Sequence, residues 1–317
     1  MSVVTYEDTH YIVPDGTSVL EVLETAGVKM VSSCRNGACQ TCKKKVTAGK
    51  LPPQAQAGLK QAEREAGYFL PCICYPTEDI VVMDIDQAPT YEASILSISF
   101  LNHEMMEIKL SHPDGFSYQA GQFIQVVKSP DQVRAYSLAS VPAKNEPLTL
   151  QVKMIDGGLV SQWLRHLCPG DKINIAGPFG ECFYTNNKKD QPIIMIGTGS
   201  GLSPLYGILH DALSQNHQGE INLFHGVAEK KCLYKESQLR ELSIKFPKFN
   251  YFPSLSNENL ELYSHGMVLD VAFKTLSNVK GARVFLCGHR EMVTQARKKM
   301  YIAGVAMNDI HADPFEG

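Results

Sequence analysis

Three cysteines crowd into one short run, Ser33-Cys34-Arg35-Asn36-Gly37-Ala38-Cys39-Gln40-Thr41-Cys42. The spacing C-x4-C-x2-C is the one that wraps a [2Fe–2S] cluster, with a fourth thiolate further along the chain. A loop aims three thiolates at one point only if its backbone curls tightly. Gly37 has the freedom for that curl, and the small Ser33 and Ala38 let backbone N–H groups approach the sulfurs. Two candidates for the fourth thiolate follow in Leu70-Pro71-Cys72-Ile73-Cys74, and proximity alone does not choose between them. Competing chemistries lack their partners. Cys39 and Cys42 alone would make a C-x2-C dithiol. A structural zinc site usually wants a second C-x2-C pair. A Rieske centre wants two histidines beside paired cysteines, whereas Cys287-Gly288-His289 stands by itself. The cysteines number nine, an odd count, and no secretory signal precedes them, which argues against a disulfide framework.

The chain is too long, at 317 residues, for one typical core, so two or three domains are expected. A net charge of −3 gives no general attraction to nucleic acid or anionic lipid. No apolar run approaches the roughly 18–20 residues that span a bilayer, and a cytoplasmic location is the default expectation. Nine cysteines in a reducing compartment favour metal ligation over bridges.

Residues 1–88 read as a small α+β unit. His10-Tyr-Ile-Val-Pro alternates like a strand, Asp15-Gly16 turns, and Thr17 is placed to cap a helix running to Ala26, closed by Gly27. The polar stretch Lys60–Ala66 is helix-prone, and Ile80-Val-Val-Met-Asp-Ile forms a last strand. A linker, Gln87-Ala88-Pro89-Thr90, leads into residues 89–187. There, short strands are expected at Glu92–Phe100, Met106–Leu110, Gln122–Val127, Arg134–Leu138 and Leu148–Met154, interrupted by one helix near Leu159–Leu167 and closed by Asn174–Gly180. Turn residues between them suggest a small antiparallel barrel. After the polar linker Asn186–Pro192, residues 188–317 alternate strands (Ile193–Gly197, Ile221–Val227, Phe249–Ser254, Arg283–Cys287, Ala306–Ile310) with helices (Pro204–Gln215, Lys235–Lys245, Val268–Thr275, Glu291–Ala303). That alternation argues for a doubly wound parallel sheet.

Two stretches look built for phosphates and rings. On a strand, Arg134 and Tyr136 share a face. An arginine there can fork onto a pyrophosphate, a tyrosine can cover an aromatic ring, and Ser137 can donate to a ring nitrogen. Gly157-Gly158-Leu-Val-Ser161 opens the lone helix with backbone N–H groups that suit a phosphate. In the last third, Ile193-Ile-Met-Ile-Gly197-Thr198-Gly199-Ser-Gly201-Leu-Ser-Pro204 is a strand, a glycine turn and a helix start with proline in its first turn. Its spacing is not the dehydrogenase G-x-G-x-x-G.

These motifs carry a resemblance. The cysteine segment resembles plant-type ferredoxins, a β-grasp fold. The order R-x-Y-S, G-x-x-S, G-P-x-G (Gly177–Gly180) and G-T-G-x-G-x-x-P resembles the ferredoxin–NADP reductase superfamily. The segment Cys287-Gly288-His-Arg-Glu-Met292 is similar to that superfamily's C-G-x-x-x-M. Over nearly its whole length the chain resembles single-chain reductase components of bacterial oxygenases, of the benzoate dioxygenase and methane monooxygenase reductase type. The resemblance implies a [2Fe–2S] cluster on Cys34, Cys39, Cys42 and Cys72, with Cys72-Ile-Cys-Tyr75-Pro76 matching a C-x-x-Y-P segment and Cys74 free of the metal. It implies FAD with its pyrophosphate on Arg134, Gly158 and Ser161, Tyr136 on the isoalloxazine and Ser137 near N5. It places the nicotinamide nucleotide on Gly197, Thr198, Gly199, Gly201, Pro204 and Gly288, with Cys287 beside the nicotinamide and Phe315 over the flavin.

The implied reaction passes a hydride from NAD(P)H to flavin and electrons singly through the cluster to a partner, an oxygenase or other electron-accepting protein. Three other readings share features: a reductase for a deoxysugar dehydrase, a quinone-reductase flavin subunit without its membrane helix, and an iron–sulfur redox sensor. The basic residues Arg35, Lys43, Lys44, Lys45 and Lys50 point to partner docking near the cluster loop, partly by charge.

After the strand Ile221–Val227 comes Ala228-Glu229-Lys230-Lys231. A carboxylate at Glu229 accepts from a ribose hydroxyl and repels a 2′-phosphate, which predicts NADH over NADPH. Measured kcat/KM for the two nucleotides decides it, and a clear preference for NADPH overturns the prediction.

Overall fold

The computed structural model describes the chain except residues 33, 38, 39, 60, 86–88, 130, 131, 144, 145, 316 and 317, together with the side chains of 61 and 62. By compactness the chain divides into two units. One comprises residues 1–90 with 125–135, the other residues 91–124 with 136–317.

The first unit begins with β1 (Ser2–Tyr6), β2 (Thr9–Val13), α1 (Val19–Thr25), β3 (Lys44–Ala48), α2 (Gln61–Glu65), β4 (Tyr68–Phe69) and β5 (Ile80–Met83). Its five-stranded sheet runs β2-β1-β5-β3-β4, with β1 and β5 parallel and the remaining pairs antiparallel. This is the β-grasp pattern. Val4, Val13, Leu20, Leu23, Phe69, Leu70, Ile80 and Val82 make its core.

Two local expectations shift here. The α1 cap is Ser18, not Thr17. Ser18 Oγ accepts from the Glu21 N–H at 3.3 Å while the Glu21 carboxylate takes the Ser18 N–H at 2.9 Å, a closed capping box. The lysine run contains strand β3, which composition hides. The Lys44 ammonium lies over the Tyr6 ring and pairs with Asp84, so the lysine is held against the sheet.

The second sheet comprises β6 (Thr90–Phe100), β7 (Met105–Leu110), β8 (Phe123–Ser129), β9 (Gln132–Ser137), β10 (Leu148–Lys153) and β11 (Lys172–Phe179), with α3 (Leu159–Arg165) between the last two. Its order is β10-β7-β6-β11-β8-β9, and an antiparallel bridge from Leu138 to Leu150 brings the two ends of that order together as a barrel.

The third sheet alternates β12 (Ile193–Thr198), α4 (Leu202–Ser214), β13 (Ile221–Val227), α5 (Glu236–Lys245), β14 (Phe249–Leu255), β15 (Ser264–His265), α6 (Val268–Thr275), β16 (Arg283–His289), α7 (Arg290–Ile302) and β17 (Ile310–Phe315). All six strands are parallel, in the order β15-β14-β13-β12-β16-β17. Both faces are covered, so successive residues of β12 enter different cores: Ile193 and Met195 one, Ile194 and Ile196 the other. The last strand lies later than the expected Ala306–Ile310. Met307–Asp309 coil into a 3-10 turn, and the tail beyond pairs with β16 as an edge strand, where Pro314 need not donate. Among the described residues no helix is long and apolar enough to cross a membrane.

The capping box should carry measurable stability. Ser18→Ala is expected to cost about 1 kcal/mol, read as roughly fivefold faster hydrogen exchange of the α1 amides, with Ser18→Thr largely restoring protection.

Candidate functional site

The cysteine loop in the first unit is held by unusual backbone. Arg35, Gly37 and Gln40 have φ of 52°, 84° and 55°. A Cβ on Gly37 would lie 2.6 Å from Ile73 Cδ1, so the glycine is required both for conformation and for space. Of the four expected ligands, Cys39 lies outside the described residues. The other three converge. A hydrogen bond with Cys42 and one from the Gly37 amide hold the Cys72 thiol below the ordinary thiol range, against its burial and the neighbouring Cys34. Cys74 behaves differently. Its thiol is fully buried in the core, which pushes its pKa up to about 12, and its carbonyl takes the Val19 N–H at 2.9 Å. Gln125 Nε2 donates to Thr41 Oγ1 at 2.7 Å within the same unit. A Cys72 thiol lowered by Cys42 and by a backbone N–H, beside Cys34, is the donor chemistry an iron–sulfur cluster needs.

The basic residues of this region are largely paired. Arg35 meets Glu24 at 2.7 Å, Lys43 meets Glu63 at 2.6 Å, and Lys44 pairs with Asp84.

In the second unit, Tyr136 is half-buried and Ser137 is buried at the end of β9. Helix α4 holds Ser137 from above: Ser203 Oγ donates to its carbonyl at 3.3 Å, and a Cβ on Gly207 would come within 2.9 Å of the Leu138 carbonyl. Arg134, in the first unit, is exposed and donates to the Val133 carbonyl at 2.8 Å. Ser161 is buried. Its Oγ donates to the Gly158 carbonyl and accepts from the Ile155 N–H, each at 3.4 Å, so the hydroxyl braces the turn before α3. The Gln151 side-chain amide is buried with neither oxygen nor nitrogen paired, as suits a barrel that takes a polar ligand.

The glycine turn after β12 interlocks with the end of β16. A Cβ on Gly201 would lie 2.3 Å from the Cys287 carbonyl oxygen, and one on Gly288 would lie 2.4 Å from Thr198 Oγ1. The Thr198 hydroxyl accepts the His289 N–H at 2.9 Å. Gly199 has φ of 52°, and its carbonyl accepts from His225 Nε2 at 3.2 Å and from Tyr234 Oη at 3.4 Å. Because a carbonyl only accepts, Nε2 carries the proton, and Nδ1 accepts from Tyr251 Oη at 3.4 Å. At the strand ends nearby, Ser254 Oγ is fully buried and unpaired. Glu229 pairs with Lys231 at 2.7 Å, which occupies the carboxylate expected to read a ribose. Phe315 stands opposite His289 in the β16–β17 ladder.

Cys287 is completely buried, with its Sγ 3.7 Å from Cys182 Sγ. Burial and the Cys182 thiol keep Cys287 protonated. Sequence reasoning singled out neither Cys182 nor His225. Cys182 does follow the Gly177–Gly180 motif directly, but a lone cysteine after a turn carries no signal, and His225 sits in an otherwise apolar strand.

Comparisons with known proteins place these features. A 2Fe-2S iron–sulfur cluster binding domain matches residues 4–77, an oxidoreductase FAD-binding domain residues 94–184, and an oxidoreductase NAD-binding domain residues 195–298. The ferredoxin–NAD(P)+ reductase component of naphthalene 1,2-dioxygenase/salicylate 5-hydroxylase systems from Ralstonia is 30% identical, covering 96% of this chain and 95% of the relative. The reductase subunit of an aromatic O-demethylase from Amycolatopsis is 29% identical over 95% and 94% of the two chains. Among solved structures, an Amycolatopsis cytochrome P450 reductase superposes with a TM-score of 0.71 at 27% identity, covering 99% of both.

The buried imidazole makes stability pH-dependent. Burial lowers the His225 pKa to about 4. The unfolded chain therefore takes up a proton near the ordinary histidine range while the folded chain does not. Stability is lost as pH falls from the ordinary value towards about 4, by about 2 kcal/mol on reaching about pH 5. His225→Asn should flatten this dependence in urea titrations compared at about pH 7.5 and about pH 5.

Proposed function

Because the chain belongs to the family of ferredoxin–NAD(P)+ reductase components, flavin-dependent NAD(P)H oxidoreductases carrying a [2Fe–2S] domain, we propose that it takes electrons from NADH and delivers them singly to the oxygenase component of a multicomponent system. One observation carries the reading. The glycine turn of the NAD-binding domain and the Ser137 end of β9 are tied together through α4, which brings the hydride donor's turn to the flavin strand. A bound flavin would supply the chemistry that splits one hydride into two single-electron transfers, and a cluster held by the cysteine loop would accept electrons singly.

The chain's own residues bind, orient and exclude water. In this reading residues 1–88 hold the cluster, 89–187 the FAD and 188–317 the nucleotide. The N–H groups of the turn at Gly157 and Gly158 take the pyrophosphate, with Ser161 bracing that turn. Tyr136 covers the flavin ring and Ser137 stands by its N5. Thr198, Gly199, Gly201 and Gly288 admit the dinucleotide, with Pro204 in the first turn of the helix behind them. Gly197 packs under Leu205, where a Cβ would lie 2.8 Å from Cδ1, and keeps β12 against that helix. Cys287, held neutral by burial, places no charge behind the nicotinamide turn. Phe315 would lie over the flavin ring. Glu229 favours NADH once the ribose replaces Lys231 as its partner. The partner docks near the cluster loop. With Arg35, Lys43 and Lys44 already paired, contact shape there outweighs net charge. Cluster thiolates suit a reducing, cytoplasmic compartment.

The functional test is reconstitution with candidate oxygenase components. NADH-dependent product formation that requires this protein supports the reading. Ferricyanide reduction without any transfer to an oxygenase counts against the partner assignment.

A second experiment tests the ligand set. Cys72→Ser is expected to lose the cluster's visible absorbance and EPR signal while FAD remains and ferricyanide is still reduced. Cys74→Ser should keep both signals, with stability lowered because a polar hydroxyl replaces a buried thiol. The opposite pattern overturns the assignment of Cys72.

A further inference from the structure

A metal-ligand constellation lies in the second unit, apart from the cysteine loop. One ligand atom each of His103, Glu104 and Cys232 lie within 4.8 Å of one another. His103 and Glu104 belong to the turn between β6 and β7. Cys232 ends the 3-10 turn Lys230–Cys232 that follows β13. We propose that His103, Glu104 and Cys232 form a binding site for a zinc ion that ties the flavin barrel to the nicotinamide domain.

The two turns are already clamped, so the ion need not draw them together. Asn102 Nδ2 donates to the Cys232 carbonyl at 3.0 Å and to that of Leu233 at 3.3 Å, while its Oδ1 accepts from the Glu104 and Met105 N–H groups at 2.9 and 2.8 Å. Close by, Lys235 and Glu107 form an ion pair at 2.7 Å with both side chains 13% exposed, again joining the two domains. The ordering cost of gathering three ligands is therefore largely met by contacts that exist without metal.

Donor chemistry selects the ion. A thiolate, an imidazole and a carboxylate match zinc, whereas magnesium and calcium prefer all-oxygen sites. Zinc bonds to these atoms run about 2.0–2.3 Å, so tetrahedral ligands stand roughly 3–4 Å apart. Side-chain adjustment on the order of an ångström closes the site from its present spacing. His103 is exposed, so the fourth position opens to water. Glu104 now faces Lys153 Nζ at 3.2 Å, and that ammonium, 41% exposed, can turn to solvent when the ion arrives. The thiolate is the ligand, so binding releases the Cys232 proton to solvent and oxidises nothing. The turn so tied follows Glu229, whose carbonyl takes the Cys232 N–H at 3.0 Å.

The test uses the full chain, untagged and loaded with cluster and flavin, titrated with Zn²⁺ against a chromogenic chelator. One ion per chain is expected, and the zinc absorption edge should show a single sulfur at about 2.3 Å with nitrogen and oxygen near 2.0 Å. Cys232→Ala and His103→Ala should each weaken binding by more than the roughly 10–100-fold that loss of a supporting partner costs. Glu104→Gln should do so too, while all three variants keep flavin and cluster absorbance. As an independent readout, zinc should protect Cys232 from alkylation, followed by peptide mass spectrometry, in the parent but not in His103→Ala. Absence of saturable binding, unchanged affinity in both alanine variants, or a zinc shell with two or more sulfurs overturns the site.

Discussion

The close approach of two backbones, the turn after β12 and the end of β16, is the constraint on which the second unit depends. Neither Gly201 nor Gly288 has room for a Cβ, and the Thr198 hydroxyl takes an amide across the gap. This packing puts the start of α4 where it can rest on Ser137 and on the backbone beyond it. A dinucleotide turn is thereby positioned by glycine contacts that leave no alternative, and the flavin strand is fixed through the same helix. Ligand sites at strand ends of parallel sheets commonly arise in this way, because the sheet is rigid and the turns are short.

Around that contact the chain uses neutral polar groups where charge would be costly. His225 is kept uncharged by complete burial, yet it holds the Gly199 carbonyl and receives Tyr251. Cys287 and Cys182 face each other as thiols in a dry core. Both arrangements give orientation without a buried charge.

The cluster loop follows the opposite rule. There the Cys72 thiol meets Cys42 and a backbone N–H from Gly37, and its ionised form is favoured. Two residues further on, Cys74 is buried in the same core, but burial alone acts on its thiol and its carbonyl supports α1. Hydrogen-bonding partners, rather than burial or distance along the chain, separate the two cysteines.

Much was legible in the amino-acid sequence because the signals are local. C-x4-C-x2-C, the glycine turn before Pro204 and the strand–helix alternation of the last third depend on spacing, backbone freedom and periodicity. Val268–Thr275 and Ile221–Val227 fell where their apolar patterns put them. Other features depended on neighbours that no local pattern reports. Strand β3 hides in lysines whose stems find Tyr6 and Tyr68, and the true cap of α1 is decided by which hydroxyl reaches Glu21. The partner of Cys287 is Cys182, in the loop after β11, and the acceptor of His225 is a carbonyl in the turn after β12. The carboxylate of Glu229 was legible, its engagement by Lys231 was not. Sequence determines which groups are present and which backbone conformations are allowed; only packing across distant segments decides which of those groups are dry, paired and within reach of one another.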